Sequence, residues 1–198
     1  SFALTAGGGD YNYMCAAPQL PNSPLSIWDT HDAGSAWQFM VNPNVEADLS
    51  VLALIDASIK PDVDVNVEPQ GGIITNLDEI RDDKTYTIYN PTFKAYAIYD
   101  QNYASTSSYV WAAEMIGDAG HPLYTQNYSK PLDTTAEGSS WMIVPFEGKF
   151  YFYNVGAEKF LSVPDYNGET KHSLSVSGLE SAHNYANSTN KTWTISSS

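Results

Sequence analysis

Short runs of alternating apolar and polar residues cover most of this chain, and turns rich in Gly, Pro, Asn and Asp separate them. A period of two places successive side chains on opposite faces of an extended backbone, so these runs predict β-strands. Three of the runs carry a Trp two positions before a large apolar residue, at Trp37, Trp141 and Trp193. Because each of these Trp side chains is expected to face a core, their recurrence indicates an internal repeat.

The two later Trp runs close units that align with each other. Each unit begins with an aromatic-rich strand ending in Asn, at 84–90 and 149–154, and turns back into a second strand, at 94–98 and 159–163. A third strand and the Trp strand complete each unit. The first residues of the chain fit the same scheme, with strands predicted at 2–6, 11–16, 25–28 and 36–41. Three units of four strands make twelve, the number that closes a β-trefoil as a six-stranded barrel with a cap of hairpins.

Residues 42–72 interrupt the alternation. Asn42 and Pro43 suit the start of a helix, and the apolar residues that follow recur at helical spacing. The pattern predicts one helix over 43–60, which ends before Pro61 because the residue preceding a proline disfavours helical geometry. The apolar face of this helix must pack either on the β domain or on another chain.

Two segments with their Trp strands, Thr85–Tyr99 and Gly148–Val163, resemble a known group of proteins. They resemble the ricin-B-like β-trefoil superfamily, whose repeats end in a Gln-x-Trp strand, and are similar to modules of secreted or surface proteins of gut Bacteroidetes. The resemblance implies an all-β protein, a β-trefoil of three diverged four-strand units with one α-helical insertion. It also implies a secreted or cell-surface location, and it allows an attached catalytic domain in a longer parent protein.

The resemblance leaves the place of the first unit open. We interpret 1–41 as a first trefoil-like unit, 42–72 as a helix and linker insertion, and 73–198 as two further trefoil units. The segment around Trp37 is similar to a closing repeat, whereas 73–80 is similar to the entry of an opening repeat. The first unit therefore either completes a permuted trefoil or belongs to a preceding module.

The net charge of the chain disfavours two classes of binding partner. Nine Lys and Arg oppose 23 Asp and Glu, for a formal net charge of −14. A nucleic-acid binder needs a basic footprint, so we expect no nucleic-acid partner. Anionic membrane surfaces would repel the chain, and it has no 18-residue apolar run, so we expect no membrane insertion. Cys15 is the only cysteine; it forms no intrachain disulfide and is expected to be a buried apolar filler.

The sequence lacks the common catalytic and cofactor motifs. It contains no Gly-x-Ser-x-Gly elbow, His-Glu-x-x-His pair, phosphate-binding loop or dinucleotide fingerprint. The most metal-like stretch runs from Asp29 to Asp32, and a turn before the first Trp strand explains it equally well. We therefore expect a protein that is not an enzyme and that uses neither cofactor nor metal. An acidic glycoside hydrolase, with two carboxylates facing each other, is the less favoured alternative.

Carbohydrate binding is the function that the remaining residues favour. It needs an exposed aromatic ring for the apolar face of a sugar and nearby carboxylates or amides for its hydroxyls. Three candidate sets meet that description: Asp100, Asn102 and Tyr103; Asp165, Tyr166 and Asn167; and Trp28 with Asp29. We predict a non-catalytic, lectin-like module that binds a glycan or polysaccharide. The alternative is a structural or protein-interaction module without sugar binding. One feature supports this alternative: Ser35, Ser139 and Lys191 replace the family's Gln two positions before each Trp.

Overall fold

Twelve strands, one short α-helix and three 3-10 turns make up the part of the chain that a computed structural model describes. That part comprises residues 1–10, 12–16, 25–29, 31–61, 72–100, 123–127, 133–163, 174–178 and 191–198, with the backbone alone at 123–127 and at 175 and 177. The strands are β1 Phe2–Thr5, β2 Tyr13–Cys15, β3 Ser26–Trp28, β4 Gln38–Val41, β5 Tyr86–Asn90, β6 Ala95–Tyr99, β7 Leu123–Asn127, β8 Trp141–Phe146, β9 Lys149–Asn154, β10 Lys159–Ser162, β11 Ser175–Ser177 and β12 Thr194–Ser197. The helix α1 is Ser50–Ile55, and the 3-10 turns are Ala33–Ser35, Leu77–Glu79 and Glu137–Ser139.

The strands pair in a pattern that repeats three times around a closed ring. The fourth strand of each unit pairs with the first strand of the next, as β4 with β5, β8 with β9 and β12 with β1. The first strand of each unit also bridges the Trp of its own unit, at Phe2–Trp37, Tyr86–Trp141 and Phe150–Trp193. Six strands therefore form a barrel, and the β2–β3, β6–β7 and β10–β11 hairpins accompany it. A closed ring leaves no unpaired barrel edge.

This architecture is an all-β trefoil with one helix, as the sequence predicted. The pairing of β1 with β12 places residues 2–5 in the same barrel as the two later units. The boundaries proposed for the insertion and the units stay predictions.

The repeated Trp residues form the centre of the core. Trp37, Trp141 and Trp193 are fully buried, and each indole N–H donates a hydrogen bond to a carbonyl of the second strand in its own unit. The acceptors are the carbonyl oxygens of Met14 at 3.0 Å, Ala97 at 3.1 Å and Leu161 at 3.2 Å. Because a buried indole N–H needs a partner, this shared bond explains why Trp recurs and fixes the alignment of the three units.

Two glycines explain the turn that precedes the first two Trp strands. A Cβ on Gly34 would lie 2.7 Å from the carbonyl oxygen of Ala16, and one on Gly138 would lie 2.1 Å from that of Tyr99. Both distances are shorter than any ordinary contact between a methyl carbon and an oxygen. The 3-10 turn can therefore approach the end of the second strand only if its residue at this position has no side chain.

The helix is shorter than the sequence predicted. It spans Ser50–Ile55 instead of 43–60, because Asn42 makes tertiary contacts and does not begin the helix. The buried Asn42 amide donates to the Ser140 hydroxyl at 2.7 Å and to the Thr134 carbonyl at 2.9 Å. These bonds hold the chain in a turn ahead of the helix. Local helix propensities cannot predict them, because the partners of Asn42 are distant in sequence.

The apolar face of the helix packs on the β domain of its own chain, which is one of the two possibilities that the sequence left open. Val51, Leu52 and Ile55 are buried in a second cluster on the outside of the barrel. Their neighbours in that cluster belong to β8, β9 and β10: Met142, Val144, Tyr151, Tyr153 and Phe160. Leu49 and Leu54 lie on the other side of the helix and are exposed.

Cys15 is buried beside the first 3-10 turn, as predicted for an apolar filler. Burial, reinforced by the negative charge of Asp32, raises the pKa of its thiol to about 12. A thiol held neutral in this way is a poor nucleophile.

Candidate functional site

Strand register places three equivalent rows of residues across the outside of the trefoil. Each row crosses three neighbouring strands, namely the fourth strand of one unit and the first and second strands of the next. Row A is Thr194, Thr5 and Tyr13; row B is Gln38, Tyr89 and Tyr96; row C is Met142, Tyr153 and Phe160. Each row begins at the residue that follows a buried Trp, so alternation turns the rows away from the barrel core.

The second strand contributes an aromatic residue to every row, at Tyr13, Tyr96 and Phe160. The rows differ in what covers these rings. Row C lies under α1: Phe160 is 1% exposed and Tyr153 is 5% exposed, and their rings meet edge to face with centroids 5.1 Å apart. Burial, with the nearby charges of Glu158 and Asp48, raises the pKa of Tyr153. Row C is therefore part of the core.

Row A continues onto β3, and with this extension it forms the candidate site, because β3 brings in one of the predicted sets, Trp28 with Asp29. On β3, Trp28 is the cross-strand partner of Tyr13, and both side chains are half-buried. The exposed Asp29 follows Trp28 directly. The exposed His31 ring lies 5.4 Å from the Tyr13 ring at an angle of 54°. Row A thus presents aromatic surface beside a carboxylate and an imidazole.

Sequence reasoning found Trp28 and Asp29 but missed their neighbours. Tyr13 joins them because β2 pairs with β3, and His31 joins because the turn after β3 returns over Tyr13. The His31 Nε2 also lies 3.1 Å from the hydroxyl of Ser198, which ties this turn to the end of the last strand. The alternation of Tyr13 with the buried Met14 was the available signal for Tyr13, and His31 had none.

Row B is a second aromatic row that the sequence did not single out. The rings of Tyr89 and Tyr96 lie with centroids 4.7 Å apart at an angle of 40°. Both side chains are half-buried, as is the neighbouring Gln38. An alignment of Tyr96 with Tyr13 and Phe160 from the repeated units was the signal that could have located it.

The other predicted sites are only partly described. Asp100 is half-buried and follows the end of β6, about 13 Å along the strand direction from Tyr96 at a rise of about 3.3 Å per residue. The structure therefore does not bring Asp100 into row B. The remaining candidates lie outside the described residues: Asn102, Tyr103, Asp165, Tyr166 and Asn167. Their assignment stays a prediction.

Other kinds of site were sought in the same part of the chain. Within the described ranges, no group of three or more His, Cys, Asp or Glu side chains is placed to hold a metal ion. The described helix is too short to cross a membrane. The buried Arg81 pairs with Asp83 at 2.9 Å, and its backbone N–H donates to the Tyr86 hydroxyl at 2.8 Å. Burial raises the pKa of Tyr86 to about 12. These buried contacts are structural, and we assign no ligand to them.

Comparisons with known proteins add evidence on the fold. No family model matches the chain, and no curated protein matches it. Among solved structures, the chain is similar to a designed 3-fold symmetric protein, ThreeFoil, with a TM-score of 0.54 and 11% identity over 100% of this chain and 98% of that one. It is also similar to the Haemophilus ducreyi cytolethal distending toxin, with a TM-score of 0.53 and 8% identity over 98% of this chain and 82% of that one.

A Caenorhabditis elegans protein of unknown function is similar as well, with a TM-score of 0.50 and 9% identity over 98% of this chain and 92% of that one. At such identities the likenesses concern the fold alone. A threefold symmetric neighbour agrees with the three equivalent strand pairings and the three equivalent Trp hydrogen bonds. The class of protein is therefore a β-trefoil.

Proposed function

We propose that this trefoil is a non-catalytic carbohydrate-binding module and that row A is a binding site. The observation that carries the proposal is the pairing of the half-buried Tyr13 and Trp28 beside the exposed Asp29 and His31. The C–H face of a pyranose ring packs on aromatic rings, and a carboxylate accepts hydrogen bonds from sugar hydroxyls. Protein faces of this composition occur at small-molecule sites, where few polar groups fix orientation.

The charge of the chain favours a neutral sugar. With a net charge of −14, the protein repels acidic glycans, and the repulsion is screened only beyond roughly 8 Å at physiological salt. A shallow surface face binds a single sugar weakly, with a Kd on the order of 1 mM. Useful affinity then comes from several contacts made with one polymer.

The setting of the module is also a proposal. The resemblance of the Thr85–Tyr99 and Gly148–Val163 segments supports a ricin-B-like module of a secreted or cell-surface protein, of the type found in gut Bacteroidetes. In that setting the module would hold an attached catalytic domain of a longer parent protein, or the cell surface, against a polysaccharide.

A glycan array with the purified chain tests the proposal. We expect binding to neutral glycans, loss of that binding in Trp28→Ala, and partial retention in Trp28→Phe, because Phe keeps a ring at the same place. Asp29→Asn keeps a hydrogen-bonding group and should weaken binding less than Trp28→Ala. An array on which the folded wild-type protein binds no glycan would refute the proposal.

A structural or protein-interaction module is the second candidate, and one observation favours it. Two of the residues that replace Gln before Trp are committed to turns: the Ser35 hydroxyl donates to the Asp32 carbonyl at 3.0 Å, and the Ser139 hydroxyl donates to the Ala136 carbonyl at 2.7 Å. Both serines are buried and offer nothing to a ligand. A folded protein that is silent on the array but is retained by an immobilised protein partner would establish this alternative.

A further inference from the structure

We propose that Met40 is a modification site, where a hydroperoxide oxidises the thioether to a sulfoxide and thereby loosens the return of the chain onto β4. This inference goes beyond the proposed function and does not depend on it, since Met40 belongs to none of the three rows. It combines the exposure of Met40 with its place beside the segment that rejoins the barrel after α1.

Exposure sets Met40 apart from the other methionines that the structure describes. Met40 is 39% exposed, whereas Met14 and Met142 are fully buried; Met115 lies outside the described residues. Oxidation of a thioether requires contact between its sulfur and the oxidant, so susceptibility follows exposure. A peroxide therefore reaches Met40 in the folded protein, but it reaches Met14 and Met142 only after the structure opens.

Strand pairing places Met40 between two neighbours on the outside of the barrel. Thr87 on β5 is its cross-strand partner, and an antiparallel bridge joins it to Ile73 on its other side. The Cβ atoms of directly opposed residues lie roughly 5 Å apart, so the Met40 side chain packs beside Thr87 and Ile73. A Cβ on Gly72 would lie 3.7 Å from the Met40 Cγ, so this backbone also lies against Met40.

The bridge at Met40 holds the point at which the chain rejoins the barrel. The Ile74 amide donates to the Phe39 carbonyl at 2.9 Å, and the Ile74 side chain is buried in the main core. Residues 72–74 thus lead the chain from the surface into the core along β4. Because Ile73 directly precedes Ile74, a weaker contact between Met40 and Ile73 should also weaken the Ile74 hydrogen bond.

The chemical step is an oxygen transfer. The Met40 sulfur attacks one oxygen of hydrogen peroxide, the O–O bond breaks, and the second oxygen leaves as water with both protons. The sulfur loses two electrons and the peroxide gains them. The product is a polar sulfoxide in place of an apolar thioether. Since a polar group loses hydrogen bonds to water when it packs on an apolar side chain, the sulfoxide disfavours the contact with Ile73.

Peptide mapping of the intact chain after treatment with dilute hydrogen peroxide tests the site. Cleavage before Asp places the four methionines in separate peptides, 10–28, 32–47, 100–117 and 133–164. In the folded protein, addition of one oxygen should appear in 32–47 at least about tenfold faster than in 10–28 and 133–164. In urea these three rates should converge. Equal rates in the folded protein would overturn the assignment of Met40.

Hydrogen exchange and thermal unfolding test the consequence. After oxidation, exchange of the Ile74 amide should accelerate about tenfold, and Tm should fall by about 2–4 °C. The Trp193 amide, which donates to the Phe150 carbonyl at 2.9 Å in another unit, should exchange at its original rate. Treatment with a methionine sulfoxide reductase should restore both values. An oxidised Met40 with unchanged Ile74 exchange and Tm would refute the loosening.

Two matched variants assign the effect to the sulfur of Met40. Met40→Leu keeps an apolar side chain of similar size but cannot be oxidised, so peroxide should leave its Tm and its Ile74 exchange unchanged. Met40→Gln carries a polar oxygen near the end of the side chain and should show the oxidised behaviour without peroxide. If peroxide lowered the Tm of Met40→Leu as much as that of the wild type, another side chain would be responsible and the inference would be wrong.

Discussion

Gly138→Ala should destabilise the trefoil more than any other glycine substitution among those compared below. A Cβ there lies 2.1 Å from the Tyr99 carbonyl oxygen, so the turn or β6 must move by about 1 Å to restore an ordinary contact. Neither moves freely, because Asn154 donates to the Gly138 carbonyl at 3.0 Å and the Trp141 indole donates to Ala97 on β6.

Overpacking by one methyl group in a rigid site costs typically 1–3 kcal/mol, and here the obstacle is backbone. We expect a loss of about 3 kcal/mol in the free energy of unfolding, which corresponds to a fall in Tm of roughly 6–12 °C for a chain of this size. Urea denaturation monitored by tryptophan fluorescence measures the free energy, and thermal circular dichroism measures Tm.

Two other glycines serve as controls for this prediction. A Cβ on Gly8 meets nothing within 4 Å, so Gly8→Ala should change stability by less than about 0.5 kcal/mol. Gly148 has open space but a φ of +74°, so Gly148→Ala should cost about 1 kcal/mol from backbone strain alone. If Gly138→Ala proved as mild as Gly8→Ala, the close approach of the turn to β6 would be wrong.

Further predictions concern the helix and the buried titratable groups. Leu52→Ala should cost about 2–5 kcal/mol because its side chain is 2% exposed where α1 packs on row C, whereas Leu54→Ala, at 53% exposed, should change stability by less than about 0.5 kcal/mol. Equal losses in urea denaturation would contradict the packing of α1. Burial raises the pKa of Cys15 from 9.0 and that of Tyr86 from 10.0, each to about 12. Their neutral forms are therefore favoured in the folded state, so their contribution is complete below pH 9 and is lost as pH rises from 9 to 12. Cys15→Ala should flatten the decline of stability measured between pH 8 and 11, and an unchanged slope would refute the role of the thiol. Native Cys15 should also resist a thiol reagent at pH 8 until urea unfolds the chain.

The architecture could be predicted because local patterns carry it. Each buried Trp sits in an alternating run, and the spacing of the runs reveals the repeat without any knowledge of tertiary contacts. Gly34 and Gly138 stand at matching places before Trp for one physical reason, the close approach of a turn to the second strand. Because such constraints act within a unit, the same residue types recur at matching positions of different units and can be found by aligning them.

The helix boundary and the site could not be predicted in the same way. Asn42 looks like a helix start, but its amide is satisfied by Thr134 and Ser140, which are 92 and 98 residues further on. The pairing of Tyr13 with Trp28 and the packing of His31 on Tyr13 depend on strand register and on a returning turn. Neither contact can be derived from composition. The sequence instead favoured sets in which a carboxylate and a tyrosine are close along the chain, such as Asp100 with Tyr103.

A crystal structure of the protein soaked with the neutral glycan that binds best on the array tests the central claim most directly. We predict a sugar ring stacked on Trp28 and Tyr13, with one of its hydroxyls donating to the Asp29 carboxylate. A ring bound elsewhere on the trefoil, with row A empty, would contradict the assignment of the site.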